Sequence, residues 1–95
     1  MKAVIFNQYV NKVSGIFGLT PQDIFVKTKK RDIVDARQLL WYLCIKRPMR
    51  LTYIQKYMKE NGYDVAHSSI LHGIDQVERK VELDSDYQEI IDSIR

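Results

Sequence analysis

Cysteine, proline and glycine are all scarce in this chain: one, two and four among 95 residues. The single thiol, Cys44, excludes an internal disulfide and a cysteine-rich zinc site. Its place inside an apolar segment predicts burial, and such cysteine usage fits a reducing, cytoplasmic setting. No apolar run reaches the roughly 18 residues that suggest a membrane helix, so no membrane partner is expected. The N-terminal run Ala3-Val4-Ile5-Phe6 is too short for a signal peptide. A Gly-x-x-x-x-Gly-Lys-Ser/Thr loop is missing too, and no nucleotide is expected. His67 and His72 lie about 140° apart around a helix and have no cysteine beside them, which argues against a metal. No Cys-His or Ser-His-Asp spacing stands out, so no catalytic residue, cofactor or enzymatic activity is expected.

Charge is present, and it is uneven. Residues 1–63 carry 12 Lys/Arg against four acids, a balance of +8, whereas residues 64–95 carry three against eight, a balance of −5. A dipolar domain of this kind would turn its basic side toward a polyanion. Taken alone, the same pattern is as easily two solvated faces.

Scarce breakers leave helical periodicity uninterrupted, and no alternating strand pattern competes with it. Phe6, Tyr9, Val10, Val13, Ile16 and Phe17 make one apolar stripe. They predict a first helix over about 3–17, ended by Gly18. Thr20-Pro21-Gln22-Asp23 reads as a second helix start, with Thr20 as cap and Pro21 at the first position. Ile24 and Phe25 would point inward. After the basic connection Lys27-Thr28-Lys29-Lys30-Arg31, a third helix is predicted from near Ile33 to near Lys46. Ile33, Ala36, Leu40 and Leu43 form its inner face, Trp41 and Tyr42 flank it, and Pro48 limits it. Thr52 is the expected cap of a fourth helix carrying Ile54, Tyr57 and Met58, and Asn61-Gly62-Tyr63-Asp64 is a turn. A fifth helix starts near Val65 to Ser68 and ends near Leu83, with Ile70, Ile74, Val77 and Val81 inward. Tyr87, Ile90, Ile91 and Ile94 predict a last helix that folds back on the core. The expected fold is all-α: one domain over 1–95, a bundle of about five to six helices. The fourth and fifth helices form a helix-turn-helix.

Ala66-His67-Ser68-Ser69-Ile70-Leu71-His72-Gly73 opens the fifth helix with short polar groups and two histidines. Such an N-terminus suits entry into a DNA major groove. Without further support the serines are equally a simple capping turn.

Further support comes from a resemblance spread over roughly residues 10–82. Val13-Ser14-Gly15-Ile16-Phe17-Gly18-Leu19-Thr20-Pro21-Gln22-Asp23-Ile24, Lys29-Lys30-Arg31, Ala36-Arg37-Gln38-Leu39-Leu40-Trp41-Tyr42-Leu43, Leu51-Thr52-Tyr53-Ile54 and His67-Ser68-Ser69-Ile70-Leu71-His72 follow one another in a familiar order. In that order they resemble the C-terminal DNA-binding domain of the bacterial replication initiator DnaA. The resemblance implies a double-stranded DNA partner, with His67, Ser68 and Ser69 at base edges or thymine methyls and His72 on a phosphate or positioning the helix. It puts Lys27, Lys29, Lys30, Arg31 and Arg37 on phosphates, and Thr52 and Tyr53 beside the backbone. Ala66 replaces an aspartate that reads a base in the family, and Asp35 stands about where some members carry a minor-groove arginine. With no nucleotide-hydrolysing domain, the chain looks like a stand-alone DNA-binding module, of a type expected from phages or mobile elements. It would regulate replication or transcription. The rival expectation, motivated by Ala66, Asp35 and the acidic outer face of the fifth helix (Asp75, Glu78, Glu82), is a helical interaction module without DNA binding, which docks on a partner or dimerises; a protein partner could also meet the acidic C-terminal part.

Overall fold

A computed structural model of the chain describes residues 1–94. It consists of α1 (Lys2–Phe17), a 3₁₀ turn (Pro21–Phe25), α2 (Arg31–Lys46), α3 (Leu51–Glu60), α4 (His67–Leu83) and α5 (Ser85–Ile94). No strand is present among the described residues.

Local chemistry sets most of the boundaries. Gly18 closes α1 in the left-handed conformation (φ 66°, ψ 33°), where a side chain would be strained. Ser14, buried one turn earlier, satisfies its hydroxyl by donating to the Val10 carbonyl at 2.6 Å. Thr20 and Asp23 form a reciprocal capping box. The segment that follows is a short 3₁₀ turn. α2 begins at Arg31, two residues before its predicted start, with Lys30 as its N-cap. Thr52 does not cap α3: Arg50 holds that position without a side-chain bond, and Thr52 lies inside the first turn.

α2 is the central element, packed chiefly against α4 and α1. Ala36, Leu39, Leu40, Leu43 and Cys44 are buried on it, and Trp41 and Tyr42, expected at its flanks, are also buried. Burial pushes the Cys44 thiol up to about 12, because the thiolate would lose its hydration. Phe6 on α1 joins this core to the 3₁₀ turn and α3, with its ring 6.4 Å from Phe25 and 5.3 Å from Tyr57. Ile16, read as part of the α1 stripe, is exposed.

α4 crosses α2 at a glycine. A Cβ on Gly73 would lie 2.7 Å from Cε3 of Trp41, closer than packed carbon atoms approach. Gly73 therefore sets how near the two helices come. α5 folds back through Ile91 and Ile94, and Lys12 Nζ donates to the Ile94 carbonyl at 3.2 Å.

Candidate nucleic-acid interface

α4 presents an open N-terminus. Ala66 takes the extended N-cap conformation (φ −79°, ψ 153°) but offers no side-chain acceptor. Its carbonyl accepts from Ser69 and Ile70 at 3.1 and 3.2 Å. The first N–H groups of a helix have no intrahelical acceptor, and here no side chain closes them. His67, Ser68, Ser69, Leu71 and His72 are exposed around this end, while Ile70, Gly73, Ile74 and Val77 anchor the opposite side. The turn ahead of α4 is pinned by Gln55, whose Nε2 donates to the Val65 carbonyl at 2.8 Å.

A cleft of about 370 Å³ runs between this end of α4, the N-terminal half of α2 and the basic connection. It brings together Lys29, Arg37, Ser68, Ser69 and His72, all expected at the site, with Thr28, Gln38 and Trp41, which were not. Lys27, Lys30 and Arg31 are exposed nearby in sequence but do not line it. Thr28 Oγ1 accepts from the Lys30 amide at 3.3 Å and so shapes the connection before α2. Neither His67 nor the α3 pair lines the cleft. Thr52 is exposed, whereas the Tyr53 ring lies against Tyr57 (6.2 Å) and beneath Lys2 Nζ (4.9 Å).

Arg37, expected on a phosphate, lines the cleft but aims its donors into the fold. It is only 4% exposed. Its Nε donates to the Ile24 carbonyl at 3.0 Å and its Nη2 to the Val26 carbonyl at 2.7 Å. The guanidinium lies 4.2 Å from the Tyr63 ring centroid. Burial lowers its pKa, and the facing Tyr63 partly offsets the effect. Arg37 ties the 3₁₀ turn and the helix-turn-helix turn to α2, because its fork spans two carbonyls that a loop exit leaves unpaired.

Asp35 is paired. Its carboxylate accepts from Lys80 Nζ at 3.1 Å and lies 3.9 Å from Arg31 Nε. The positive charge of α4's last turns thus meets the acid at the start of α2. Among the described residues no group of three or more His, Cys, Asp or Glu side chains could hold a metal ion. No described helix is long and apolar enough to cross a membrane.

This arrangement defines an all-α helix-turn-helix domain: α3 supports, and α4 projects its uncapped start beside a basic loop. The chain belongs to the bacterial dnaA protein helix-turn-helix family, whose model matches residues 7–77. It is 33% identical over 92 residues to the chromosomal replication initiator protein DnaA of Lachnoclostridium phytofermentans, covering 96% of this chain and 19% of that protein. It is 28% identical over 94 residues to DnaA of Bacteroides fragilis, covering 98% of this chain and 19% of that protein. To DnaA of Thermus thermophilus it is 27% identical over 88 residues, with 93% and 20% covered. The chain thus spans about a fifth of the length of these relatives. No solved structure gives a significant match.

Proposed function

We propose that this domain binds double-stranded DNA, with the start of α4 in the major groove and the basic connection on the phosphate backbone. The observation that carries this reading is a juxtaposition. The uncapped end of α4, with Ser68, Ser69 and His72 exposed, shares one cleft with Lys29. Helix N-termini attract phosphate oxygens and groove acceptors, and lysines beside them neutralise the backbone. The pairing of Asp35 with Lys80 and Arg31 supports the reading as well, since a carboxylate whose charge is met on both sides repels phosphate less. The relatives are chromosomal replication initiators, and a role in regulating replication or transcription follows from that likeness.

Fluorescence anisotropy tests this. A labelled duplex carrying a DnaA-box sequence is compared with a scrambled duplex at two salt concentrations. Binding that weakens with salt and favours the box duplex is expected. Lys29→Glu with Lys30→Glu is expected to abolish binding to both duplexes. Absence of binding at low salt would refute the reading. It would favour a protein partner on the acidic side, where Leu83 is 87% exposed between Glu82 and Asp84.

A further inference from the structure

We propose that Leu71 reads a thymine through its C5-methyl group and is a specificity-determining residue of this domain. The proposal rests on the DNA-binding reading above and names a contact within it.

Over its first three turns α4 buries its other branched aliphatics: Ile70, Ile74 and Val77 are at most 6% exposed, whereas Leu71 is 53% exposed. Position explains why this matters. At 100° per residue, Leu71 lies about 40° from His67 and about 60° from Ser68, and His72 lies about 40° from Ser68 on the other flank. Leu71, Ser68 and His72 thus share one exposed face, and the rise between Ser68 and Leu71 is only about 4.5 Å. The next residue on this face, Asp75, is held by Arg79 at 3.1 Å and closes it with a polar boundary. An isobutyl group is left in water between a histidine, a serine and an ion pair.

The major groove offers one apolar group, the thymine methyl; every other base-edge feature there is a hydrogen-bond donor or acceptor. A helix seated by its N-terminal turns would carry Leu71 to the base edges together with Ser68. Ser68 and Ser69 supply hydroxyls and no methyl. Leu71 therefore supplies the branched apolar surface of this face, and a thymine methyl is the base-edge group that covers it without stranding a polar atom.

The test begins with selection of duplexes from a random-sequence pool by the full chain. The selected duplex is then remade with deoxyuridine at each thymine in turn, which deletes only the methyl. One such position is expected to weaken wild-type binding about fourfold, the worth of one buried methyl group. Leu71→Ala is expected to bind the thymine duplex about as weakly and to ignore the deoxyuridine change there. Leu71 is exposed and alanine is the best helix former, so the variant should keep the wild-type melting temperature. A full deoxyuridine penalty retained by Leu71→Ala at every thymine, or no penalty in the wild type, overturns the proposal while leaving DNA binding intact. If the pool is not bound at all, even at low salt, the DNA-binding reading falls and the proposal falls with it.

Discussion

Arg37 serves the architecture of the fold from within the lining of the cleft. Its two donors serve carbonyls 13 and 11 residues earlier in the chain, and Tyr63 covers its face. A lysine keeps the charge but reaches only one carbonyl and loses the planar stack. Arg37→Lys is therefore expected to cost about 2–3 kcal/mol, the worth of one charged hydrogen bond with its buried acceptor stranded. In a domain of this size that is a fall in Tm of roughly 10 °C or more. Thermal unfolding would register it, while DNA affinity of the folded variant at low temperature stays near wild type. The opposite result, an unchanged Tm with lost affinity, would return Arg37 to the phosphate backbone. Its spacing from Ile33 and Leu40 sets Arg37 beside the inner face of α2, but a cation there still reads as a surface residue, because the carbonyls it serves lie 11 and 13 residues away. Asp35 was illegible for the same reason, because its partner Lys80 lies 45 residues away. Cys44 was legible, since an apolar neighbourhood is a local property. Its thiol ionises near 9.0 in the open chain and near 12 in the fold. Above about pH 9 the unfolded chain loses this proton and the folded one keeps it, so stability is full below that pH and falls as pH rises. Between about pH 8 and about pH 10 the wild type should lose about 1 kcal/mol more than Cys44→Ala, as urea unfolding at the two pH values would show.

At the scale of elements, the helices were readable because each carries a continuous apolar stripe, and their order alone indicates a helix-turn-helix. Their ends were less readable where backbone, not side chain, does the capping. Arg50 and Ala66 hold N-cap positions with no side-chain bond, so a search for capping residues lands on Thr52 or Ser68. The crossing of α2 and α4 was not readable at all: a glycine within a helical pattern says nothing about which surface approaches it. Gly73 faces the Trp41 ring, with Gln38 Cγ 3.0 Å from where a Cβ would sit. Alanine gains about 1 kcal/mol of helix propensity, but the buried indole must shift to admit it, and overpacking costs about 1–3 kcal/mol. Gly73→Ala is expected to be net destabilising, by up to about 2 kcal/mol. Trp41→Phe frees space and gives up no hydrogen bond, because Trp41 Nε1 makes none. Adding it to Gly73→Ala should cost less than the two changes measured apart, a non-additivity that a double-mutant cycle in denaturant would expose.

Across the whole molecule, extents of 33 × 26 × 24 Å are a few Debye lengths at physiological salt. The formal charge of +3 therefore governs DNA binding less than the places where charge sits. Counterion release counts phosphates neutralised locally, at a log–log slope of about −0.9 per phosphate. If four to six phosphates are met, the slope is about −4 to −5. Two double variants separate net charge from local charge, because each changes the total by two. Lys29→Gln with Lys30→Gln lowers the net charge from +3 to +1, and Glu78→Gln with Glu82→Gln raises it to +5. Glu78 and Glu82 are exposed on α4, about 15 and 21 Å along the axis from Ser68. That is beyond the roughly 8 Å over which charges act at physiological ionic strength. The lysine pair lies on the basic connection, with Lys29 in the cleft itself. The lysine variant should flatten the slope by about two, while the glutamate variant keeps the wild-type slope despite an equal change in net charge. Binding isotherms over a salt series would decide it. A slope that followed net charge in both variants would mean that the acidic half also lies against the duplex, and that α4 is buried in the groove along its length rather than by its first turns.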